Sequence, residues 1–597
     1  MHERGSVRLA TTDGGGGGGP ARPPSGAEAI KATSRGLRGT LAAELSAPEA
    51  RGGLSEAAYT LLKFHGSYEQ YDRDTATERK ARGEDKDWGF MVRVRAPAGR
   101  LTAAQWLALD ALADRHADGT LRLTTRQGVQ FHTVRRGDLR ECVAAINEAL
   151  LTTLAACGDV VRNVVTTAAP RRDALHARLE AEAFALSADL LPRTRAHHEI
   201  FVEGAADGGD GTDDAPDPLY GPTYLPRKFK IALAHPSDNT PDVLANDLGF
   251  LALTGPDGAP EGWLVTVGGG MGMTHNKPAT YPRLADPVAV IGPGEVLEAA
   301  RAVVRLSRDH GDRSDRKHAR LKYVMAERGV PWARARLAED LGRDLAPPVP
   351  LPRLSVPELL GWHPQGDGRW WLGLPVPSGR VADTPRAALR TGLREAIRRT
   401  GANPVNTPQQ DMILSDVAEG DRDALTAILR DHGATFAEDL SPLARWSLSC
   451  TALPTCGQAL TEGERAHAPM VAAVEAALSR HGMLGERVSL RLTGCPNGCA
   501  RPYAGDVGVV GRAPGLYVLH VGGDFEGTRL NFAVADKVPE ADVAATLEPL
   551  VAAWAAGRAP GEGLGDFCAR LGPEAARALV AAAGRAAAPS SPRKEAA

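Results

Sequence analysis

Two short runs of this 597-residue chain return half a chain later in the same order, and that repetition limits the admissible folds more than any other property of the sequence. Ala98-Gly99-Arg100, a helical pattern and Thr125-Arg126-Gln127 resemble Ser378-Gly379-Arg380, a helical pattern and Thr407-Pro408-Gln409. Trp263-Leu264-Val265-Thr266-Val267-Gly268-Gly269 is echoed by Tyr517-Val518-Leu519-His520-Val521-Gly522-Gly523. Two echoes in one order predict a duplicated half-chain with a functional centre near its pseudo-twofold junction. Chance similarity between ordinary strand-and-glycine segments is the competing explanation. Thr102 with Gln105 forms a capping box ahead of Trp106, Leu109 and Ala113, and Gly119 can end that helix. Residues 121–133 have a period-two pattern, predicting a strand. Strands and helices alternate in both halves, so the expected fold class is α+β (mixed α/β), with helices packed on mixed sheets.

Charge excludes some functions. The 70 Lys and Arg nearly cancel the 73 Asp and Glu, leaving −3, so no whole-chain attraction to nucleic acid or anionic membrane exists. Local patches must carry any anion binding. No window offers the ~20 consecutive apolar residues of a membrane span, and the first residues lack a signal-peptide core. A soluble, cytoplasmic protein is expected. The stretch with Gly14 to Gly19 is predicted to be disordered, and its match to G-x-G-x-x-G is fortuitous, since no strand precedes it. Asp207 to Asp217 reads as an exposed loop, residues 347–352 as an extended linker, and the end after Ala587 as a fraying tail.

Four of the seven cysteines form two close pairs, Cys450 with Cys456 (C-x5-C) and Cys495 with Cys499 (C-x3-C). In a reducing compartment such thiols read as metal ligands. Zinc knuckles favour C-x2-C, a turn tight enough for both sulfurs to reach one small ion. The wider loops here suit a [4Fe–4S] cubane better, with structural zinc as the alternative. Gly494-Cys495-Pro496-Asn497-Gly498-Cys499 is rich in residues that let backbone approach a cofactor. Cys142 and Cys568 read as small buried hydrophobes.

Cations supply the second constellation. Treated as one strand, residues 121–133 place Arg122, Thr124, Arg126, Gln130 and His132 on a face without an acid. Arg122 and Arg126 would then lie roughly 13 Å apart, a span suited to separate carboxylates on a flat macrocycle. A solvated strand face is the ordinary alternative. Arg93 and Arg95 alternate with Val92 and Val94, and Lys228 and Lys230 with Phe229 and Ile231, so each pair should project from one side of a strand. Arg162 stands in apolar sequence. A small oxyanion held by several Arg and Lys accounts for these groups without nucleic acid.

These residues together resemble the siroheme-dependent sulfite and nitrite reductases, most closely the assimilatory sulfite reductase hemoproteins. The resemblance runs from about Arg38 to Arg570. It is carried by Leu62-Lys63-Phe64-His65-Gly66-Ser67-Tyr68, Arg122 to Gln127, Arg162-Asn163-Val164, Leu191 to Arg195, Gly221 to Lys230 and Thr493 to Cys499. It implies that Cys450, Cys456, Cys495 and Cys499 hold a [4Fe–4S] cluster, with Cys499 also bridging to siroheme iron. It implies that Arg122, Thr124, Arg126 and His132 meet the siroheme carboxylates, and that Arg93, Arg162, Lys228 and Lys230 line the substrate pocket.

The implied reaction is the six-electron reduction of sulfite to sulfide, the nearest alternative being nitrite to ammonia. Nitrite-reducing relatives often have Asn where Lys230 stands, so the second lysine favours sulfite. Gly268-Gly269-Gly270-Met271-Gly272 departs from dinucleotide spacing, so electrons must come from a partner protein, an NADPH-oxidising flavoprotein or a ferredoxin. Some reductases of this kind carry a Tyr–Cys thioether, for which Tyr68 and Cys157 are the candidate pair; an ordinary buried thiol is the alternative. The family architecture implies a disordered or extended arm at 1–50, a central ferredoxin-like domain from half-repeats 51–154 and 356–435, siroheme and cluster lobes at 155–355 and 436–582, and a disordered tail at 583–597.

Overall fold

The computed structural model describes residues 22–47, 53–201, 215–256 and 258–587. The first half supplies β1 (Ser67–Tyr71), β2 (Trp88–Val94), β3 (Leu121–Leu123), β4 (Val129–Val134), β5 (Ile231–Ala234), β6 (Leu248–Thr254), β7 (Pro260–Val267) and β8 (Asp286–Ile291). The second supplies β9 (Gly361–Pro364), β10 (Arg369–Leu374), β11 (Arg380–Val381), β12 (Asn403–Asn406), β13 (Met412–Ala418), β14 (Ser447–Ser449), β15 (Leu490–Thr493), β16 (Val507–Ala513), β17 (Leu516–Val521) and β18 (Phe532–Pro539). They form four sheets, ordered β1-β2-β4-β3-β11, β12-β13-β10-β9, β5-β6-β7-β8 and β14-β15-β16-β17-β18.

The duplication is visible strand by strand. β5 and β6 are parallel and β6-β7-β8 antiparallel; β15 and β16 are parallel and β16-β17-β18 antiparallel. The Trp263 and Tyr517 echoes occupy the third strand of each set and end at Gly268 and Gly522, with φ of 90° and 94°. The Pro97–Gly99 and Pro377–Gly379 turns both put an L-residue in the left-handed region, Ala98 at 56° and Ser378 at 54°. Such a residue costs about 1–2 kcal/mol, so its recurrence at the same place argues against coincidence.

The structure moves the first echo by one residue. Thr124 Oγ1 accepts from the backbone N–H groups of Arg126 and Gly128, and Thr407 Oγ1 accepts from those of Gln409 and Asp411. Gln127 and Gln410 are the left-handed residues of the two turns, with φ of 56° and 70°. Thr124 is therefore the counterpart of Thr407, and Arg126 that of Gln409. The sequence match of Thr125 with Thr407 fails because identity was read without the turn geometry.

The halves interlock. β11 of the second half completes the sheet of the first, and Gln127, fully buried, donates to Ala98 O and Asn406 O and accepts at Oε1 from Thr166 N–H. One apolar core runs from Leu37 to Phe436, and a second fills the lobe from Leu443 to Val580. The Ala103–His116 helix carries the expected capping box and buries Trp106, Leu109 and Ala113.

Three expectations change. Residues 22–47, expected to belong to a disordered or extended arm, contain helices at Gly26–Ala32 and Leu41–Ser46, because Lys31, Leu37 and Leu41 are buried against the body. Asp217 is buried, with its carboxylate capping the N–H groups of Arg193, Leu219 and Tyr220; the remainder of the expected acidic loop, residues 207–214, lies outside the described residues. The Pro573–Ala587 helix runs into the expected tail; residues 588–597 and the glycine run at 14–19 also lie outside the described residues.

Candidate active site

The sulfurs meet because β14 and β15 are parallel neighbours, Ser449 facing Leu492, so the loops leaving both strands start from one sheet end. Cys450 follows β14 and Cys495 follows β15. Gly494 is required between them: a Cβ there would stand 2.5 Å from Ala452 Cβ and 2.6 Å from Thr461 O. Its N–H points instead at Cys450 Sγ, 3.2 Å away. Burial, then the neighbouring thiols, raise the pKa of Cys450, while burial and Cys499 raise those of Cys456 and Cys495, the last to about 12. Backbone N–H groups of Gln458 and Ala459 oppose the shift at Cys456, as that of Asn497 does at Cys495.

This donor set fits an iron–sulfur cluster: four thiols within electrostatic reach, with N–H donors aimed at three of them. Cys499 differs from the other three. Its side chain is exposed, yet it bears electrostatically on Arg122, Lys228 and Lys230 as well as on the other thiols, so the cysteine loop and these cations lie close to one another.

The loop carrying Cys499 is fixed from several directions. Thr125 Oγ1 donates to Cys499 O at 3.0 Å, Arg501 Nη1 donates to Thr125 O, and Met273 N–H donates to Pro496 O at 2.8 Å. Gly268 to Gly272, rejected above as a dinucleotide loop, is the segment beneath it. Lys322, fully buried, donates to the carbonyls of Gly270, Gly272 and Tyr281.

The cationic face is built differently from the sequence expectation. Residues 121–133 form a hairpin, β3 and β4, turning at 124–128, because Gln127 takes a positive φ and Thr124 Oγ1 caps the turn. Arg122 and Arg126 therefore do not lie along one extended strand. The hairpin instead sets up a row across four strands: Arg93 faces Gln130, Gln130 faces Arg122 and Arg122 faces Arg380. His132, two residues from Gln130, shares that face. The expected absence of an acid also fails, since Glu464, on the helix Glu464–Arg480, pairs with Arg380 and lies 3.3 Å from Arg122. Arg122 also donates to Ser378 O and Ser449 O, tying both halves together. Burial, then Arg380 and Arg122, hold His132 well below the usual imidazole range, so it is neutral.

Arg126, in the turn, donates to Asn246 Oδ1, Asn163 O and Ile231 O, while its buried Nε has no partner. Arg93 lies 3.0 Å from Cys157 Sγ, and its Nε and Nη2 donate to the Gln130 carbonyl oxygen at 3.2 and 2.6 Å. Tyr68 lies within electrostatic reach of both Cys157 and Arg162, so the candidate thioether pair are neighbours. Arg95 does not join Arg93. Just past the end of β2 it turns away and donates to Ser187 O and Oγ.

Arg162 sits on an extended segment beside the lysines, its N–H donating to Phe229 O at 2.9 Å. Phe229 and Ile231 are buried and Lys228 and Lys230 point the other way, as the alternation predicts. Among the described residues neither ammonium has a hydrogen-bonding or ion-pair partner. Burial, then Arg227, Arg162 and Arg320, lower Lys228 to about 7; burial, then Lys228, push Lys230 well down. Two lysines held so close to other cations without a carboxylate fit a bound polyanion. Sequence reading did not single out Arg320, Lys322 or Asp247. Arg320 pairs with Asp247, and Asp247 accepts the N–H of Lys230. Their signal is long-range, one partner per distant loop, so no local pattern marks them.

Comparison with known proteins follows the same outline. Residues 186–345 and 444–585 match the family described as the nitrite and sulphite reductase 4Fe-4S domain. Residues 83–149 and 363–432 match the nitrite/sulfite reductase ferredoxin-like half domain. The chain is 48% identical over 553 residues to a Myxococcus xanthus protein named sulfite reductase [NADPH] hemoprotein beta-component, covering 92% of this chain and 97% of that one. A protein of the same name from Paenibacillus is 41% identical over 92% of this chain and 96% of that one. The structure of the Mycobacterium tuberculosis NirA protein superposes with a TM-score of 0.74 at 22% identity, covering 93% of this chain and 98% of that one, a likeness of fold. Two family matches, each found twice along the sequence, together with these relatives, place the chain in the nitrite and sulphite reductase family.

Proposed function

We propose that the protein is the hemoprotein component of an assimilatory sulfite reductase, reducing sulfite to sulfide at a siroheme coupled to a [4Fe–4S] cluster. The observation that carries this reading is an exposed Cys499 thiol within electrostatic reach of the Lys228 and Lys230 ammonium groups, which have no hydrogen-bonding or ion-pair partner among the described residues. Cys450, Cys456, Cys495 and Cys499 would hold the cluster, and Cys499 would also serve the siroheme iron. Arg126, whose buried Nε lacks a partner, meets the siroheme carboxylates with Arg122, Thr124 and His132. When bound, the coupled cofactors supply single electrons and an iron that takes the substrate.

The chain's own groups do the rest. Arg93, Arg162, Lys228 and Lys230 attract sulfite oxygens and balance the charge that gathers there as S–O bonds weaken. Lys228, titrating near neutrality, can release a proton from Nζ toward a departing oxygen and regain one from water. Arg162, whose Nε donates to Gly158 O, orients the anion. Tyr68 stays protonated, burial and Cys157 raising it to about 12, so it adds a donor and no charge.

Sulfite is favoured over nitrite because two ammoniums and two guanidiniums match a dianion better than a monoanion. The relatives' names support an NADPH-oxidising partner component over ferredoxin, and the thiol-rich centre suits a reducing cytoplasm. No helix among the described residues is long and apolar enough to cross a membrane. Turnover of sulfite and nitrite by the holoenzyme with an artificial one-electron dye tests the assignment. A higher kcat/KM for sulfite is expected, and a large preference for nitrite overturns it.

A further inference from the structure

Tyr224, in the left-handed region at φ 55°, opens the turn that leads through Leu225, Pro226 and Arg227 to Lys228. Its carbonyl and the next two each receive a different cation. Arg313 Nη2 donates to Tyr224 O at 2.8 Å, Lys31 Nζ to Leu225 O at 2.7 Å, and Arg316 Nη1 reaches Pro226 O at 3.5 Å. Lys31 comes from the Gly26–Ala32 helix, nearly 200 positions away in sequence.

Two acids hold these cations in place. Glu28 pairs with Lys31 and with Arg313. Asp159, 2% exposed, makes two bonds to Arg316 at 2.6 and 3.0 Å and lies 3.6 Å from Lys31 and 4.0 Å from Arg227. Its carbonyl accepts the N–H of Leu225, and Arg162 follows three residues later. Neither acid makes a hydrogen bond or ion pair with Arg93, Arg162, Lys228 or Lys230. They neutralise the cations that grip the turn and leave Arg93, Arg162, Lys228 and Lys230 without carboxylate partners.

A wholly buried lysine is costly to keep charged, and here it holds one carbonyl, Leu225 O, of a strained turn whose neighbouring carbonyls are held by Arg313 and Arg316. We propose that Lys31, Glu28 and Asp159 are positioning residues for the anion pocket, together anchoring the three cations that grip consecutive carbonyls of the turn that carries Lys228 and Lys230. None of the three touches the anion. The proposal rests on the anion-binding reading of Lys228 above.

The test compares Lys31→Met, Glu28→Gln and Lys228→Ala as holoenzymes, assayed with the same one-electron dye. Displacing the turn weakens sulfite binding throughout the reaction, so Lys31→Met and Glu28→Gln should raise KM about tenfold while kcat changes less than about threefold. The cofactor absorption spectrum should stay that of the wild type. If Lys228→Ala raises KM and the other two variants do not, the positioning proposal is wrong and the pocket stands. If Lys228→Ala leaves KM unchanged, the pocket reading itself falls. Should Lys31→Met not fold, Glu28→Gln decides, because it loosens the clamp while leaving Lys31 beside Asp159; a wild-type KM in that variant overturns the proposal.

Discussion

Lys228 shows how burial and function join in one side chain. Its ammonium loses its proton as pH rises through about 7, because burial and the neighbouring guanidiniums disfavour the charge. In the proposed reading the charged form binds the anion. KM for sulfite is therefore expected to be flat below that pH and to rise toward about tenfold per unit above it, as one titrating ligand requires; a KM constant from pH 6 to 9 contradicts this. Lys230→Ala should lower kcat/KM by about 10- to 100-fold with cofactors retained, the range for losing one charged contact to a developing anion. Cys499→Ser should abolish turnover and alter the coupled spectrum; normal sulfite reduction by that variant removes the bridge. At this scale the sequence was informative where residues sit close together. The Cys spacing and the Lys-Phe-Lys alternation translate directly into shared positions. Asp247, Glu464 and Lys31 were illegible because each acts on a segment far away in the chain, and pairing of that kind leaves no local trace.

At the scale of elements, the hairpin of β3 and β4 carries the lesson. A period of two reads the same for one long strand and for two short ones, and only the positive φ of Gln127 distinguishes them. Gln127 is also the residue that joins the halves. Gln127→Ala should remove its bonds to Ala98 O, Asn406 O and Thr166 N–H and destabilise the fold by about 3 kcal/mol or more, since each of the three buried partners left unpaired costs about 1–3 kcal/mol. Denaturant unfolding of the variant measures this. A change within about 0.5 kcal/mol, typical of a surface substitution, would show that water replaces the side chain without penalty.

Across the whole molecule, duplication supplies two similar scaffolds and the chain arms only one. The 3-10 turn Pro502–Ala504 beyond the cysteine loop follows left-handed Arg501; its counterpart Val243–Ala245 follows left-handed Asp242, in a loop without cysteine. At the second hairpin turn Arg126 becomes Gln409 and Gly128 becomes Asp411. Burial raises Asp411 to about 8, so it is mostly neutral at pH 7 and adds no cation to that site. The repeat was legible in sequence because strands and glycine turns recur; the asymmetry needed the corrected register. The proposed reading therefore expects one tetrapyrrole per chain, not two.

Acid extraction of the purified holoprotein, combined with its visible spectrum and iron content, tests the central assembly most directly. The account predicts macrocycle bands, one extractable siroheme and about five iron atoms per chain, four in the cluster and one in the macrocycle. A coloured protein with iron and sulfide but no tetrapyrrole, or one holding zinc in place of iron, would contradict it.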